Sequence, residues 1–436
     1  MTGAAAVRRA ARTGGRGARH TVVADLGYGD AGKGTVVDAL SADGGLSAVI
    51  RFNGGAQAAH NVVTGDGRHH TFSQFGSGSF HGVPTHLSRH VVADPLALAA
   101  EAEHLASAGV PDPFRLITVD GEALLATVWH RAANQERERR RGAGRHGSCG
   151  MGIGETMAYA LANPDAPRVA DTLSPAVLRR KLTAVRDRFA DELGELGTPP
   201  LDDVVDVLTA FADTVSIVDG QSAVRRLLGS GPCVFEGAQG VLLDEWYGWH
   251  PYTTWSTTTF ANAEELLAEA GHEACRLGVV RTYTTRHGAG PLVTEDAALT
   301  AALPDPHNGT GLWQGAFRAG HFDAVAHRYA VEVAGGVDGL AITHLDIPAR
   351  LASRAGGPSL AICTSYADGW DRIIPGTRGD LAYQEELATR LAAASPGTLE
   401  RPGHAGDFAA AISGLLGAPV ALESHGPRAA DKIRRA

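Results

Sequence analysis

The stretch TVVADLGYGDAGKGTVVDAL, Thr21 to Leu40, decides how the rest of the chain is read. Its apolar β-branched start (Thr21, Val22, Val23) reads as a strand, its glycine-rich middle as a turn, and the pattern from Gly34 onward as a helix. Strand, glycine loop and helix in that order aim backbone N–H groups and a helix N-terminus at phosphate. Against the pattern G-x-x-x-x-G-K-[ST], Gly27, Gly32 and Lys33 fall in place, but Gly34 stands where a Mg²⁺-binding hydroxyl belongs. Asp30, inside the loop, is the carboxylate at hand to hold a metal instead. A plain glycine turn is the competing reading; the lysine in its expected place favours phosphate.

Composition bounds what surrounds this loop. At 436 residues the chain can bury a large core without staples, and its 55 glycines point to many tight turns and close backbone approaches. A net charge of −9 argues against a general nucleic-acid-binding surface. The four cysteines, Cys149, Cys233, Cys275 and Cys363, form no CxxC pair and fit reduced thiols of a cytoplasmic protein. No apolar run approaches membrane-spanning length, so no membrane partner is expected. Residues 1–20, MTGAAAVRRAARTGGRGARH, lack acid and any secretory apolar stretch; they read as a disordered basic tail, with organelle targeting as the alternative. Residues 21–436 read as a single domain.

Further glycine loops follow in order. Leu46 to Phe52 reads as a second strand, running into Asn53-Gly-Gly-Ala-Gln-Ala-Ala-His60. A histidine leaving a glycine loop beside a phosphate loop is a candidate acid or phosphate partner, the alternative being a solvated loop histidine. His90 to Ala93 reads as strand, the segment up to 110 as an Ala/Leu helix, and Leu116 to Val119 as strand. Helical spacing over 121–141 ends in the charged run Glu136 to Arg141, read as a solvated face. Gly142 to Gly154, GAGRHGSCGMGIG, is too long and too small in side chains for ordinary packing. Residues 173–230 read as helical, broken at Gly197-Thr-Pro-Pro200. Cys233 to Phe235 is a strand that empties into Glu236-Gly-Ala-Gln-Gly240, where open α/β sheets put ligand groups. Then come PYTTWSTTT (251–259), a helix through 270, a strand from Leu277 to Thr285, a long irregular connection over 295–322, and a strand from Leu340 to Leu345. A polar turn, Ser424-His-Gly-Pro-Arg428, lies near the end. Strands alternating with helices, with no internal repeat, predict an α/β fold with a mainly parallel sheet.

Taken together the loops resemble the adenylosuccinate synthetases: GDAGKG (29–34), RFNGGAQAAHNVV (51–63), GMGIGE (150–155), FEGAQGVLLD (235–244), PYTT (251–254), YTTRHGAGPLVTE (283–295), THLD (343–346) and SHGP (424–427), in the family's chain order. The resemblance implies a large, mainly parallel central sheet flanked by helices, with a P-loop-like nucleotide site. It implies GTP as co-substrate, Mg²⁺ as cofactor, and an acceptor such as inosine monophosphate (IMP). The acceptor's 6-oxygen is phosphorylated, and the amine of aspartate or a replacement then displaces phosphate. An amide-like oxygen leaves poorly and phosphate leaves well, so a base and a phosphoryl partner are needed. By resemblance Asp30 is the base and a Mg²⁺ ligand, the Ala59 carbonyl a second metal contact, and His60 the partner of the γ-phosphate. Gly29, Ala31, Gly32, Lys33 and Gly34 would cradle phosphate, with Ser424 and Gly426 also on the nucleotide. His344 and Asp346 would meet the guanine, the carboxylate accepting from N1 and N2. The alternative for Asp346 is a helix cap.

The acceptor and amine sites match less well. Gln57, Cys149, Gln239 and Thr254 take the places that contact the monophosphate and base, with Met151 where the family has Arg and Glu155 where it has Pro. The segment LANPDAPRVAD (161–171) keeps Arg168 but lacks the arginine by which a second subunit completes the phosphate site, although a homodimer is the family's habit. Of the family's paired arginines on the amino-acid loop only Arg318 remains, while Trp313 and Phe317 make that loop apolar. One Arg holds one carboxylate bidentately, not two; Arg286 or Arg281 compensating is the bland alternative. The expected function is a GTP- and Mg²⁺-dependent C–N ligase with altered substrates. A catalytically decayed guanine-nucleotide-binding protein is the second reading.

Overall fold

Ten strands form the central sheet: β1 (His20–Asp25), β2 (Ala48–Arg51), β3 (Thr85–Leu87), β4 (Ile117–Asp120), β5 (Ser216–Val218), β6 (Cys233–Glu236), β7 (Ala274–Arg281), β8 (Gly339–Thr343), β9 (Val420–Ser424) and β10 (Lys432–Arg434). This computed structural model describes residues 20–193, 197–305, 308–354 and 356–435. The expected basic tail therefore lies outside the described residues, save His20, which opens β1. The strand order is β10-β9-β8-β7-β1-β6-β2-β3-β4-β5, parallel throughout except for the antiparallel edge pair β9–β10. The mainly parallel α/β fold read from the sequence is the one found.

Both faces of the sheet are covered, as a parallel sheet requires. Along β1, Val22 and Ala24 enter one apolar core while Val23 enters another with Val36 and Val37 of the helix α1 (Lys33–Ala42). The same alternation sends Val49 and Ile50 of β2 to opposite faces. A third core lies under the helices Val128–Arg141, Pro175–Leu193 and Leu201–Thr214.

The local expectations change in four places. The helix expected over 121–141 begins at Val128, because Thr127 and His130 form a reciprocal capping box there. The helical stretch 173–230 contains β5, an edge strand of three residues, too short to show a period of its own between two helices. The strand expected over 277–285 ends at Arg281; Thr284–His287 turns away to pair antiparallel with Phe317–Gly320. The connection 295–322 is therefore not wholly irregular: it holds a helix, Ala297–Ala302, capped by Asp296, and that returning strand, with residues 306–307 outside the described set. Among the described residues no helix is long and apolar enough to cross a membrane, and all four cysteines are free thiols.

Candidate active site

Loops leaving the carboxyl ends of β1, β2, β6, β7, β8 and β9 converge, as ligand loops do in open parallel sheets. Asp25, the last residue of β1 and 1 % exposed, organises the first of them. Its Oδ1 accepts from the N–H groups of Gly27 (2.7 Å) and Gly29 (3.3 Å), and its Oδ2 from that of Ala31 (2.7 Å). Lys33 Nζ donates to Asp25 Oδ2 at 3.3 Å and to the carbonyls of Gly29 and Gln239, each at 2.7 Å.

Two expectations are corrected here. The Gly29 and Ala31 amides, expected to cradle phosphate, turn inward to Asp25. The Lys33 ammonium finds three acceptors within the protein, because a buried cation is costly unless paired. What the loop presents is the start of α1, where Gly32 sits left-handed at the N-cap (φ 95°) with no side-chain cap over the first-turn amides. Gly34 is dictated by space: a Cβ there would lie 2.7 Å from the Cβ of His60. The close approach that excludes a hydroxyl residue at 34 is what brings His60 to the loop.

A cavity of about 310 Å³ lies over this arrangement. Gly29, Asp30, Gly32, Lys33, Gly34, Ala59, His60, His344, Asp346, Ser424 and Gly426 all line it. Burial lifts the Asp30 carboxyl above the usual range, although Arg281 and Lys33 pull it back. His60 is not a solvated loop histidine. It is 6 % exposed, and its Nδ1 lies 2.7 Å from Glu236 Oε1. Burial outweighs Glu236 and pushes the imidazole down to about 4. Burial also opposes the Glu236 charge, but His60, Arg51 and Ser77 prevail and hold that carboxyl at about 2. Near neutral pH the pair is a neutral imidazole donating Nδ1–H to a carboxylate, which leaves Nε2 as the working nitrogen.

At the far end Asp346 occupies the N-cap position of the helix Ile347–Ala352, yet its carboxylate makes no cap hydrogen bond. Its nearest cation is Arg350 at 4.0 Å, and the side chain is 36 % exposed, so the acid stays available to the cavity. His344 adopts a left-handed backbone (φ 58°) and packs edge-on against Tyr283 at 5.6 Å. Thr343 Oγ1 donates to the Ala31 carbonyl at 2.7 Å, and Thr35 Oγ1 to that of Pro427 at 2.6 Å; these bonds tie the β8 and β9 loops to the phosphate loop.

The acceptor residues lie beside this cavity rather than in its lining. A Cβ at Gly54 would come within 3.1 Å of Gln239 Oε1, and one at Gly55 within 3.1 Å of Gln57 Oε1 and 2.9 Å of Ile153 Cδ1, so two glycines let three loops meet. Both polar atoms of the Gln57 amide, Gln239 Oε1 and Glu155 Oε2 are buried without a hydrogen-bond partner among the described residues. Cys149 is half-buried, with its thiol pushed up to about 11 by burial, and Thr254 is half-buried with its N–H on the Leu243 carbonyl at 2.8 Å.

The arginines expected at the amine site are used internally. Arg286 is 1 % exposed and donates to the carbonyls of Ala289 (2.8 Å), Pro291 (3.0 Å) and Tyr252 (3.1 Å), its guanidinium 4.6 Å from the Tyr28 ring centroid. That correction has a simple cause: a buried guanidinium satisfies itself on whatever carbonyls surround it. Arg318 donates to the Gly288 carbonyl through Nε (3.1 Å) and Nη2 (2.7 Å), to Gly290 (2.8 Å), and to the Glu295 carboxylate (2.6 Å). Arg281 donates to the Asp30 carbonyl and to Tyr283 Oη at 2.9 Å.

Sequence reasoning passed over Asp25, Glu236 and Ser77. A carboxylate at the end of a strand before a glycine loop was a signal for the first. For Glu236 and Ser77 the signal is spatial only, since they stand 176 and 17 positions from His60.

Comparison with known proteins places the family and the fold. The family model for adenylosuccinate synthetase matches residues 22–433. Adenylosuccinate synthetase from Neisseria gonorrhoeae (strain ATCC 700825 / FA 1090) is 33% identical over 434 residues, covering 94% of this chain and 97% of its own. The Frankia alni enzyme of the same name is 33% identical over 433 residues, covering 92% and 95%. Among solved structures, fully ligated adenylosuccinate synthetase from Plasmodium falciparum shares the fold, with a TM-score of 0.78 at 21% identity, over 96% of this chain and 100% of that one. Cyanophage S-2L succinoaminodeoxyadenylate synthetase (PurZ), bound to dGMP and dATP as an energy donor, does so with a TM-score of 0.61 at 20% identity over 96% of each chain. The chain is a ligase of the adenylosuccinate synthetase family.

Proposed function

We propose that this chain is a GTP- and Mg²⁺-dependent ligase that phosphorylates a lactam-like oxygen of an IMP-like acceptor and lets an amino-acid amine displace the phosphate. The observation that carries the reading is one cavity bordered by a raised carboxyl, Asp30, an oriented imidazole, His60, and a free acid, Asp346. Asp30 takes the acceptor's N–H proton, for which a raised carboxyl is the better base. The acceptor oxygen then attacks the γ-phosphorus and GDP leaves. His60, held through Nδ1 by Glu236, presents Nε2 to the phosphoryl group. The incoming negative charge favours a second proton on the ring, so that Nε2 can donate.

The donor set suits Mg²⁺: the Asp30 carboxylate and the Ala59 carbonyl are hard oxygens on the cavity wall, and phosphate oxygens complete such sites. When bound, the ion draws charge from the transferring phosphoryl group. Asp346 would accept from both N1–H and N2–H of guanine, whereas adenine N1 offers only a lone pair. That favours GTP over ATP. Residues 21–436 act as one ligase domain, we infer, in the cytoplasm and as a homodimer.

The test is turnover of GTP, ATP or dATP with Mg²⁺, a panel of purine nucleotides and nucleosides, and a panel of amino acids, followed by GDP and phosphate release and product mass. The expected result is GDP release that requires an acceptor and yields an acceptor–amine adduct. Release equal to the no-acceptor control for every pair would leave a guanine-nucleotide-binding protein instead.

A further inference from the structure

The loop 310–316 meets the glycine loop 142–152 beside the reacting groups. A Cβ at Gly147 would lie 3.3 Å from the Gln314 carbonyl oxygen and 3.3 Å from Ala289 N, and one at Gly150 would lie 2.7 Å from Trp313 Cδ1. His287 Nε2 is 3.2 Å from the Gly315 carbonyl oxygen, and Phe317, paired with His287 across the two strands, has its ring centroid 5.9 Å from the guanidinium carbon of Arg281, which donates to the Asp30 carbonyl, so this junction borders the proposed base. An amine arriving here needs its carboxylate held, yet Arg286 and Arg318 have spent their donors on the fold.

Arg145 stands at the junction in a different condition. Arg139, Arg140 and Arg141 of the preceding helix are ion-paired with Glu136 or Glu138. Among the described residues no carboxylate pairs with Arg145: Nη1 donates to the Leu312 carbonyl at 3.2 Å, Nε is buried without a partner, and the guanidinium carbon lies 6.0 Å from the Trp313 ring centroid. The contact to the loop engages Nη1, and the Trp313 ring also has the Arg139 guanidinium carbon 5.2 Å from its centroid. The Nε–Nη2 edge is left as a fork that matches one carboxylate.

We propose that Arg145 binds the α-carboxylate of the amine donor, and that the donor is a monocarboxylic amino acid whose small or apolar side chain lies toward Trp313. This rests on the ligase reading above. A dicarboxylic donor would bring a second negative charge to a junction where Arg318 is already neutralised by Glu295.

The test compares wild type with Arg145→Ala and Arg145→Lys, using GTP, Mg²⁺, and IMP, inosine or dGMP as acceptor probes. Glycine, L-alanine and L-aspartate serve as donors, and hydroxylamine as a nucleophile with no carboxylate. The wild type should use glycine or alanine better than aspartate. Arg145→Ala should raise their KM about tenfold or more with kcat little changed, Arg145→Lys should restore part of it, and turnover with hydroxylamine should be unaffected. Unchanged KM in the alanine variant, an equal loss with hydroxylamine, or wild-type preference for aspartate would each overturn the assignment. Absence of acceptor-dependent GDP release from the wild type, with hydroxylamine included, would instead remove the ligase reading and Arg145's role with it.

Discussion

The proposed nucleotide end and the proposed amine end of this molecule treat charge in opposite ways. At the nucleotide end buried groups are matched to partners within the fold, the Lys33 ammonium to Asp25 and the neutral His60 imidazole to the Glu236 carboxylate, while Asp30 and Asp346 keep their carboxyls at the cavity. At the amine end the expected charges of Arg286 and Arg318 are absorbed by carbonyls and by Glu295, and the loop leading to Arg318 carries Leu312, Trp313 and Phe317. The lesson is that a residue's type in a motif states its capacity, while its neighbours decide whether that capacity faces a ligand or the fold.

The largest expected break in this contrast is Asp30→Asn. An amide cannot take the acceptor proton, so acceptor-dependent GDP release should fall by about 10²–10⁴-fold, with nucleotide binding measured separately and retained. In the wild type the rate should fall with acid as pH drops through the raised Asp30 pKa, and the variant's residual rate should lack that limb. Near-normal turnover would refute the assignment.

Asp25→Asn probes the pairing behind the wall. It leaves the Lys33 ammonium buried without a counter-charge, a change that costs about 3–5 kcal/mol in comparable pairs. A lowered Tm together with weakened nucleotide binding is expected. Loss of neither would mean that Asp25 does not build the loop.

Asp346→Asn sharpens the comparison at the base end. Losing a charge-assisted acceptor should cut the preference for GTP over ATP by about 10- to 100-fold in kcat/KM, measured with each nucleotide in turn. Arg286→Lys, by contrast, should lower Tm through its three carbonyl contacts and leave donor KM little changed.

A further effect is spread through the fold and builds with acidity. Burial holds His60 and His86 down at about 4 and His130 at about 3, all neutral in the folded chain. The unfolded chain protonates them below about 6.5, so their stabilisation is complete above that pH and is lost as pH falls toward 3–4, by about 1.4 kcal/mol per pH unit for each. Asp323, raised to about 6 by burial, acts in the opposite sense between its folded and unfolded values and returns part of this. Tm followed from pH 7 to pH 4 should fall; a flat profile would mean that these rings are not held neutral.

Much of the sheet was legible because parallel strands buried on both faces are short apolar runs, and β1, β2, β6 and β8 are just that. β5 was not, for three residues at the sheet edge are too few to carry a periodic signal. That Asp30, His60 and Asp346 line one cavity was legible because the loops at the carboxyl ends of parallel strands gather on one side of the sheet. The capture of the Gly29 and Ala31 amides by Asp25 was not, since alternate amides of a loop are alike in sequence.

By itself the sequence determined the strand–loop–helix order, the alternation that buries both sheet faces, and which residues could act as base, acid or cation. Only the tertiary structure decided which of those groups act outward. It brought Glu236 to His60, spent Arg286 and Arg318 inside, and left Arg145 unpaired. The physical reason is that a charge's availability depends on every acceptor within about 3 Å of it. Those acceptors range from the same loop, as Ala289 and Pro291 are for Arg286, to a strand 176 positions away, as Glu236 is for His60, and only the folded chain selects among them.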